Sequence, residues 1–152
     1  MTDQEYMLRA IQLAKKGEGW TNPNPMVGAV IVKDGRIIGE GYHKKFGGLH
    51  AEREALADCR SRGEDPAGAD LYVTLEPCCH YGKTPPCAEL LVRKRFHRVV
   101  LGTIDPFAKV RGRGIAMLRD AGIEVRIGVL EPECRALNAH FFTAHENGRP
   151  YI

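Results

Sequence analysis

The segment Thr74-Leu-Glu-Pro-Cys-Cys-His-Tyr-Gly-Lys-Thr-Pro-Pro-Cys87, taken with His50-Ala-Glu52 upstream, decides how this chain is interpreted. Three of the five cysteines fall within its fourteen residues, and a histidine and a carboxylate lie two residues apart before it. Thiolates and imidazoles are ligands that zinc prefers in proteins, and a carboxylate beside the metal can move protons. These residues therefore predict a zinc centre, and the rest of the chain is expected to hold it.

The donors outnumber what a catalytic zinc needs. Such a zinc takes three protein ligands and leaves one position to water, whereas a structural zinc takes four. His50, one or both of Cys78 and Cys79, and Cys87 could supply either set. Neighbouring cysteines have difficulty reaching one metal, and a closed four-ligand site would leave Glu52 without a role, so the pattern favours catalytic zinc. Residues two apart in a helix point ~200° from each other, so the histidine and the glutamate must lie at a helix end.

Length and composition restrict the class of protein. The 152 residues fit one domain, and the formal charge of +3 is far from the dense basic surface of a nucleic-acid-binding protein. No apolar run approaches the roughly 20 residues that cross a bilayer, and the first residues lack the pattern of a secretory signal. The sequence therefore predicts a cytoplasmic protein whose cysteine cluster binds metal. Cys59 and Cys134 lie outside that cluster and are expected to be small buried side chains.

Alternating helix and strand patterns predict an α/β layered domain with a mixed sheet. Thr2 and Glu5 form a capping-box pattern before a helix that ends at Gly17. Asp34-Gly35 separates two β-rich runs, 27–33 and 36–42, and predicts a hairpin. The remaining predicted elements are helices at 50–62, 85–95, 114–121 and 131–145 and strands at 70–75, 98–104 and 123–128.

His50-Ala-Glu52 followed by Pro77-Cys78 resembles the zinc-dependent cytidine deaminase superfamily, whose generic pattern is H-x-E and then P-C-x-x-C. In this chain position 81 is Tyr, and the next cysteine after the adjacent pair is Cys87. The longer spacing resembles the deaminase domain of the bifunctional riboflavin-biosynthesis deaminase/reductase family. The resemblance runs nearly the whole length, through Asn22-Pro-Asn-Pro-Met-Val-Gly28, Asp105-Pro106, Val110-Arg-Gly-Arg-Gly114 and Asn138-Ala-His-Phe-Phe142.

This resemblance implies a fold and a reaction. The fold is a three-layer α/β/α cytidine-deaminase-like domain with a five-stranded mixed sheet. The reaction is zinc-dependent hydrolytic deamination of 2,5-diamino-6-(5-phosphoribosylamino)pyrimidin-4(3H)-one to 5-amino-6-(5-phosphoribosylamino)uracil and ammonia, a step of riboflavin biosynthesis. The implied cofactor is Zn²⁺ and the implied partner is the phosphorylated pyrimidine substrate, with no nucleic acid and no membrane. A homo-oligomer and a reductase domain or partner are left open.

The resemblance also implies residue roles by motif position. His50, Cys78 and Cys87 become the zinc ligands and Glu52 the proton shuttle, which leaves Cys79 without a ligand role. The implied substrate contacts are Asn24, His80, Lys83, Thr84 and Asp105. Residues 1–146 become the deaminase domain, and 147–152 become the start of a linker toward a reductase domain that the chain lacks. The chain is then either a deaminase-only protein or the first half of a larger one.

One position departs from the family pattern. After the Asp-Pro pair the family usually has Asn-Pro, whereas this chain has Phe107-Ala108. A substrate-contacting amide is therefore missing, and Lys109, Arg111 and Arg113 are nearby donors that could replace it. We assign no role to Phe107, which is expected to be a packing aromatic.

The sequence leaves two other functions as alternatives. The first is a deaminase for another base, a nucleoside or tRNA, against which the long loop with Lys83 and Thr84 argues. The second is a non-catalytic, zinc-stabilised nucleic-acid-binding module. Such modules interleave basic residues with exposed aromatics, and the single tryptophan, Trp20, is not part of such a stripe.

Overall fold

A computed structural model describes residues 2–16, 26–42, 51–75, 87–104 and 113–137, with the backbone alone for residues 87, 88 and 113. The helices are α1 (Asp3–Lys15), α2 (Ala51–Ser61), α3 (Cys87–Arg93), α4 (Arg113–Asp120) and α5 (Glu131–Leu137). The strands are β1 (Gly28–Lys33), β2 (Arg36–Tyr42), β3 (Asp70–Leu75), β4 (Arg98–Thr103) and β5 (Glu124–Ile127).

The five strands form one mixed sheet in the order β2-β1-β3-β4-β5. Strand β1 pairs antiparallel with β2 and β3, whereas β3 and β4, and β4 and β5, pair in parallel. All strands except β1 therefore point in the same direction. Their carboxyl ends and the amino end of β1 form one edge of the sheet, which we call the carboxyl edge.

Helices cover both faces of this sheet. Helices α1 and α5 pack on one face through an apolar cluster that includes Met7, Val30 and Cys134. Helices α2, α3 and α4 supply a second cluster on the other face, together with Val73 and Leu101. The predicted three-layer α/β/α fold with a five-stranded mixed sheet is confirmed. None of the described helices combines the length and apolar character needed to cross a bilayer.

Local sequence signals account for most element boundaries. The capping box at the start of α1 is present, with the Thr2 hydroxyl accepting from the Glu5 N–H at 3.2 Å. Asp34 and Gly35 both have positive φ, 53° and 73°, as a two-residue type I′ hairpin requires. Helix α3, predicted to run to about Arg95, ends at Arg93, because Arg95 has a φ of 60° and leaves the helical conformation.

The described residues also confirm the predictions for the two isolated cysteines and for the start of the final helix. Cys59 and Cys134 are both buried free thiols, and burial raises the pKa of Cys134 to about 12. The predicted final helix is seen as α5, and its expected continuation through 138–145 lies outside the described residues.

A polar network ties α1 to three strands at the edge opposite the carboxyl edge. The Asp3 carboxylate accepts from Arg98 at 2.9 and 3.0 Å, from Arg126 at 2.7 Å and from the Tyr72 hydroxyl at 2.5 Å. Arg98 also donates to Asp70 at 3.0 Å. The hydrogen bond from Arg98, despite the opposing effect of burial, lowers the pKa of Asp3 from 3.8 to about 2. The first turn of α1 is thereby fixed to β3, β4 and β5.

Replacing Asp3 with Asn should remove this ionic attachment. Because the folded pKa of Asp3 lies below its unfolded value, the stabilisation is present above about pH 4 and is lost as the pH falls toward 2. We expect a loss of about 2 kcal/mol in the free energy of unfolding at pH 7, measured by urea denaturation. Between about pH 5 and pH 2 the Asp3 carboxyl titrates, so the variant should lose less stability over this range than the wild-type protein.

Asp120→Asn at the exposed end of α4 is the matched control, since it removes one carboxylate without touching the network. If the Asp3→Asn protein were as stable as this control at neutral pH, the ionic network of Asp3 would not stabilise the fold.

Candidate active site

Four chain segments that carry the predicted site residues attach to the carboxyl edge. They join α1 to β1, β2 to α2, β3 to α3 and β4 to α4, and each leaves or enters the sheet at that edge. In open α/β sheets, ligands bind outside the carboxyl ends of the strands. Strand direction therefore brings the predicted site segments to one place.

Most of the predicted side chains lie within those segments and outside the described residues. This holds for Asn24, His50, Cys78, Cys79, His80, Lys83, Thr84, Asp105 and Phe107. Within the part of the chain that the structure describes, no three His, Cys, Asp or Glu side chains form a metal-binding group. What the structure does define is where each segment begins and ends, and where Glu52 lies.

Helix α2 lies unusually close to β2, which sets the position of its first turn. Ala51, Ala55 and Cys59 repeat at helical spacing and are all buried on the sheet. Gly39 and Gly41 face them: a methyl group at Gly41 would lie 2.5 Å from the Ala51 carbonyl oxygen and would also collide with the Ala55 nitrogen. Only glycine allows this approach. Alternate glycines in a strand are a sequence signal of close backbone contact, and the sequence reasoning did not use it.

Glu52 is buried in the first turn of α2, with 4% of its surface exposed. The helix begins one residue earlier, so the glutamate lies at a helix end, as the predicted pairing with His50 requires. A buried carboxylate is uncommon unless it meets a compensating charge or has a chemical task.

Cys87 is the first residue of α3, the helix that crosses from β3 to the parallel strand β4. A crossover helix of this kind starts at the carboxyl ends of the strands it connects. Its backbone therefore lies at the same edge as the end of β3, three residues before Cys78. Two thiolate donors, one imidazole donor and a buried glutamate on segments of one edge fit the ligand chemistry of a catalytic zinc.

Comparison with known proteins identifies the class. Residues 1–103 match the model of the cytidine and deoxycytidylate deaminase zinc-binding region. The chain belongs to this family of zinc-binding deaminases, which confirms the family inferred from the motifs and Zn²⁺ as its cofactor.

Individual relatives narrow the family further. The chain is 57% identical over all 152 residues to the riboflavin biosynthesis protein RibD of Actinobacillus pleuropneumoniae. The match covers 40% of that protein's length. It is 46% identical over 150 residues to the full length of a diaminohydroxyphosphoribosylamino-pyrimidine deaminase of Buchnera aphidicola. A crystal structure of the Thermotoga maritima deaminase/reductase superimposes with a TM-score of 0.93 at 55% identity, covering 97% of this chain and 42% of that one. Within the zinc-binding deaminases, the chain thus belongs to the riboflavin-biosynthesis deaminases.

The chain matches different fractions of its relatives' lengths. The chain spans about 40% of the length of the Actinobacillus relative and the whole of the Buchnera one. The part of the longer relatives that this chain matches is therefore also found as a protein of its own.

Gly41→Ala should displace the first turn of α2 and with it Glu52. Because the added methyl group meets backbone atoms that cannot rotate away, we expect a loss of about 1–3 kcal/mol in the free energy of unfolding. Deamination should fall more than tenfold, an order-of-magnitude expectation for a misplaced catalytic group.

Gly68→Ala separates the two effects. Gly68 has open space around it but a φ of 78°, so its substitution strains the backbone at a position remote from the carboxyl edge. This variant should lose about 1–2 kcal/mol and retain its activity. Wild-type activity in Gly41→Ala would show that the close α2–β2 contact does not position the site.

Proposed function

We propose that this chain catalyses the hydrolytic deamination of 2,5-diamino-6-(5-phosphoribosylamino)pyrimidin-4(3H)-one to 5-amino-6-(5-phosphoribosylamino)uracil and ammonia. The observation that carries the proposal is the buried glutamate in the first turn of α2, at the edge where the segments with the zinc-ligand motif attach. The full-length match to a protein named as this deaminase supports the substrate.

The proposed zinc ligands are His50, Cys78 and Cys87. They comprise one imidazole and two thiolates, a donor set that occurs in catalytic zinc sites and leaves the fourth coordination position for water. When bound, the zinc ion supplies Lewis-acid activation of that water. Cys79, which neighbours a ligand, has no place in a three-ligand site.

Glu52 is the proposed proton carrier. Its carboxylate accepts a proton from the attacking water and passes it to a ring nitrogen, which makes C2 of the pyrimidine more electrophilic. It then takes the remaining proton from the hydroxyl added at C2 and delivers it to the departing amine, so that ammonia leaves and the C2 carbonyl forms. Burial excludes bulk water that would compete for these protons and strengthens each electrostatic contact that the carboxylate makes.

Substrate binding is assigned to the segments around this centre. Asn24, His80, Lys83, Thr84 and Asp105 are the proposed contacts, and Lys83 is proposed to pair with the substrate phosphate as a point charge. All five positions lie on segments that attach at the carboxyl edge. Phe107, where the family usually has Asn, receives no role.

Further expectations about the whole protein stay predictions. The boundary between a deaminase domain at 1–146 and a linker at 147–152 lies outside the described residues. A cytoplasmic location, a homo-oligomer and association with a reductase domain or partner likewise stay predictions.

Glu52→Gln should abolish the proton transfer while keeping the shape of the side chain. We expect kcat for ammonia release to fall by about 10²–10⁴-fold with zinc still bound, as metal analysis of the same sample would verify. Glu54→Gln, two residues along the same helix, makes the same change of charge without a proposed role and should retain wild-type turnover. Near-normal ammonia release by the Glu52 variant would remove the proposed shuttle.

Zinc content should distinguish a three-ligand site from a closed four-ligand one. Cys78→Ser and Cys87→Ser should each lose most of the bound zinc, because a hydroxyl is a far weaker ligand than a thiolate. Cys79→Ser is the matched control and should retain one zinc per chain. Equal loss of zinc from the Cys78 and Cys79 variants would instead support the four-ligand structural site.

A further inference from the structure

Thr103 ends β4, a strand flanked on both sides in the sheet, at the carboxyl edge. It pairs in register with Leu75, the last residue of β3, from which the chain continues toward Cys78. Alternation along β4 puts Thr103 on the face of Val99 and Leu101, which is covered by α2, α3 and α4. Thr103 therefore lies at the same edge of the sheet as Glu52 and on the face that α2 covers.

The Thr103 side chain is buried, with 2% of its surface exposed, yet its hydroxyl makes no hydrogen bond to any other residue in the described part of the chain. The neighbouring strand offers a contrast. Thr74 is 1% exposed, and its hydroxyl accepts from the Gly28 N–H at 3.2 Å. Buried hydroxyls normally have partners, because leaving one unpaired forfeits its hydration.

A valine would fill the place of Thr103 without that cost. The two side chains have nearly the same shape, both favour strands, and Val99 and Val100 already occupy the same strand. The hydroxyl is thus unfavourable for folding unless a group outside the described residues, or a ligand bound at the carboxyl edge, pairs with it. A threonine hydroxyl can both donate and accept, so it suits a ligand with a polar ring edge.

We propose that the Thr103 hydroxyl is a substrate-binding group that hydrogen-bonds to the polar edge of the pyrimidine ring. The inference rests on the proposed function and adds a residue that the sequence motifs did not identify. The contacted group is the C4 carbonyl or the 5-amino group, both of which the reaction leaves unchanged. Substrate and product are therefore bound through the same contact, and it contributes to affinity more than to the chemical step.

The test compares Thr103→Val and Thr103→Ser with the wild-type protein, all loaded with zinc. We expect Thr103→Val to raise KM for the phosphoribosyl diaminopyrimidine, and Kd for the uracil product measured by calorimetry, each by about 10- to 100-fold. The value of kcat should change less than about threefold, because the contact is the same in the ground state and the transition state. Thr103→Ser keeps the hydroxyl and should restore most of the product affinity.

Thermal stability separates substrate binding from a structural role. Thr103→Val should melt at or above the wild-type temperature, whereas Thr74→Val should melt lower because it leaves the Gly28 N–H unpaired. A Thr103→Val protein that melts lower, or that binds the product as the wild type does, would overturn the inference.

The wild-type protein reports separately on the proposed function. Turnover by the wild type together with unchanged KM and Kd in Thr103→Val contradicts the role of Thr103 alone. A zinc-loaded wild-type protein with no turnover of this substrate contradicts the proposed function, and with it the ligand named for Thr103.

Discussion

The direction of the strands is the constraint on which the candidate site depends. Because β1 alone runs against the other four, its amino end meets the carboxyl ends of its neighbours at one edge. Four connections that are far apart in sequence therefore start or finish side by side. A sheet with β2 or β3 reversed would send part of the zinc motif to the opposite edge.

The contact between α2 and β2 gives a defined position to Glu52, the proposed proton carrier. Gly39 and Gly41 remove the side chains that would otherwise hold the helix away from the strand. Ala51, Ala55 and Cys59 then lie against the sheet, and Glu52 is buried one residue after the helix begins. Small residues on both partners thus fix the carboxylate through backbone packing, which is stiffer than packing between long side chains.

The two edges of the sheet have separate tasks. The perturbed pKa of Asp3 belongs to the network with Arg98 and Tyr72 at the edge away from the zinc motif, where it attaches α1 to the strands. Perturbed pKa values often mark functional sites, but structural ion pairs perturb them as well. Here the network stabilises the fold, whereas the buried Glu52 lies near the opposite, carboxyl edge.

Much of the fold could be predicted from the sequence, because several of its elements have local sequence signals. The Thr2–Glu5 capping box, the Asp34-Gly35 turn and the apolar spacing of α2 are local signals, and each element they predict is present. The end of α3 was misplaced because nothing in the composition of Lys94-Arg95 shows that the chain adopts a positive φ there. The Asp3 network joins residues as much as 123 positions apart. The Thr103 hydroxyl lacks a hydrogen-bond partner among the described residues, and this depends on which side chains surround it in the fold. Neither has a local sequence signal.

The most direct measurement of the central claim is the turnover of the phosphoribosyl diaminopyrimidine by the wild-type, zinc-loaded chain. Ammonia and the uracil product should be quantified together, and the dephosphorylated pyrimidine should be assayed in parallel. We expect equal amounts of the two products from the phosphorylated compound, and a lower kcat/KM for the compound without the phosphate. If neither compound released ammonia while zinc was bound and the protein was folded, the proposed deaminase activity would be contradicted.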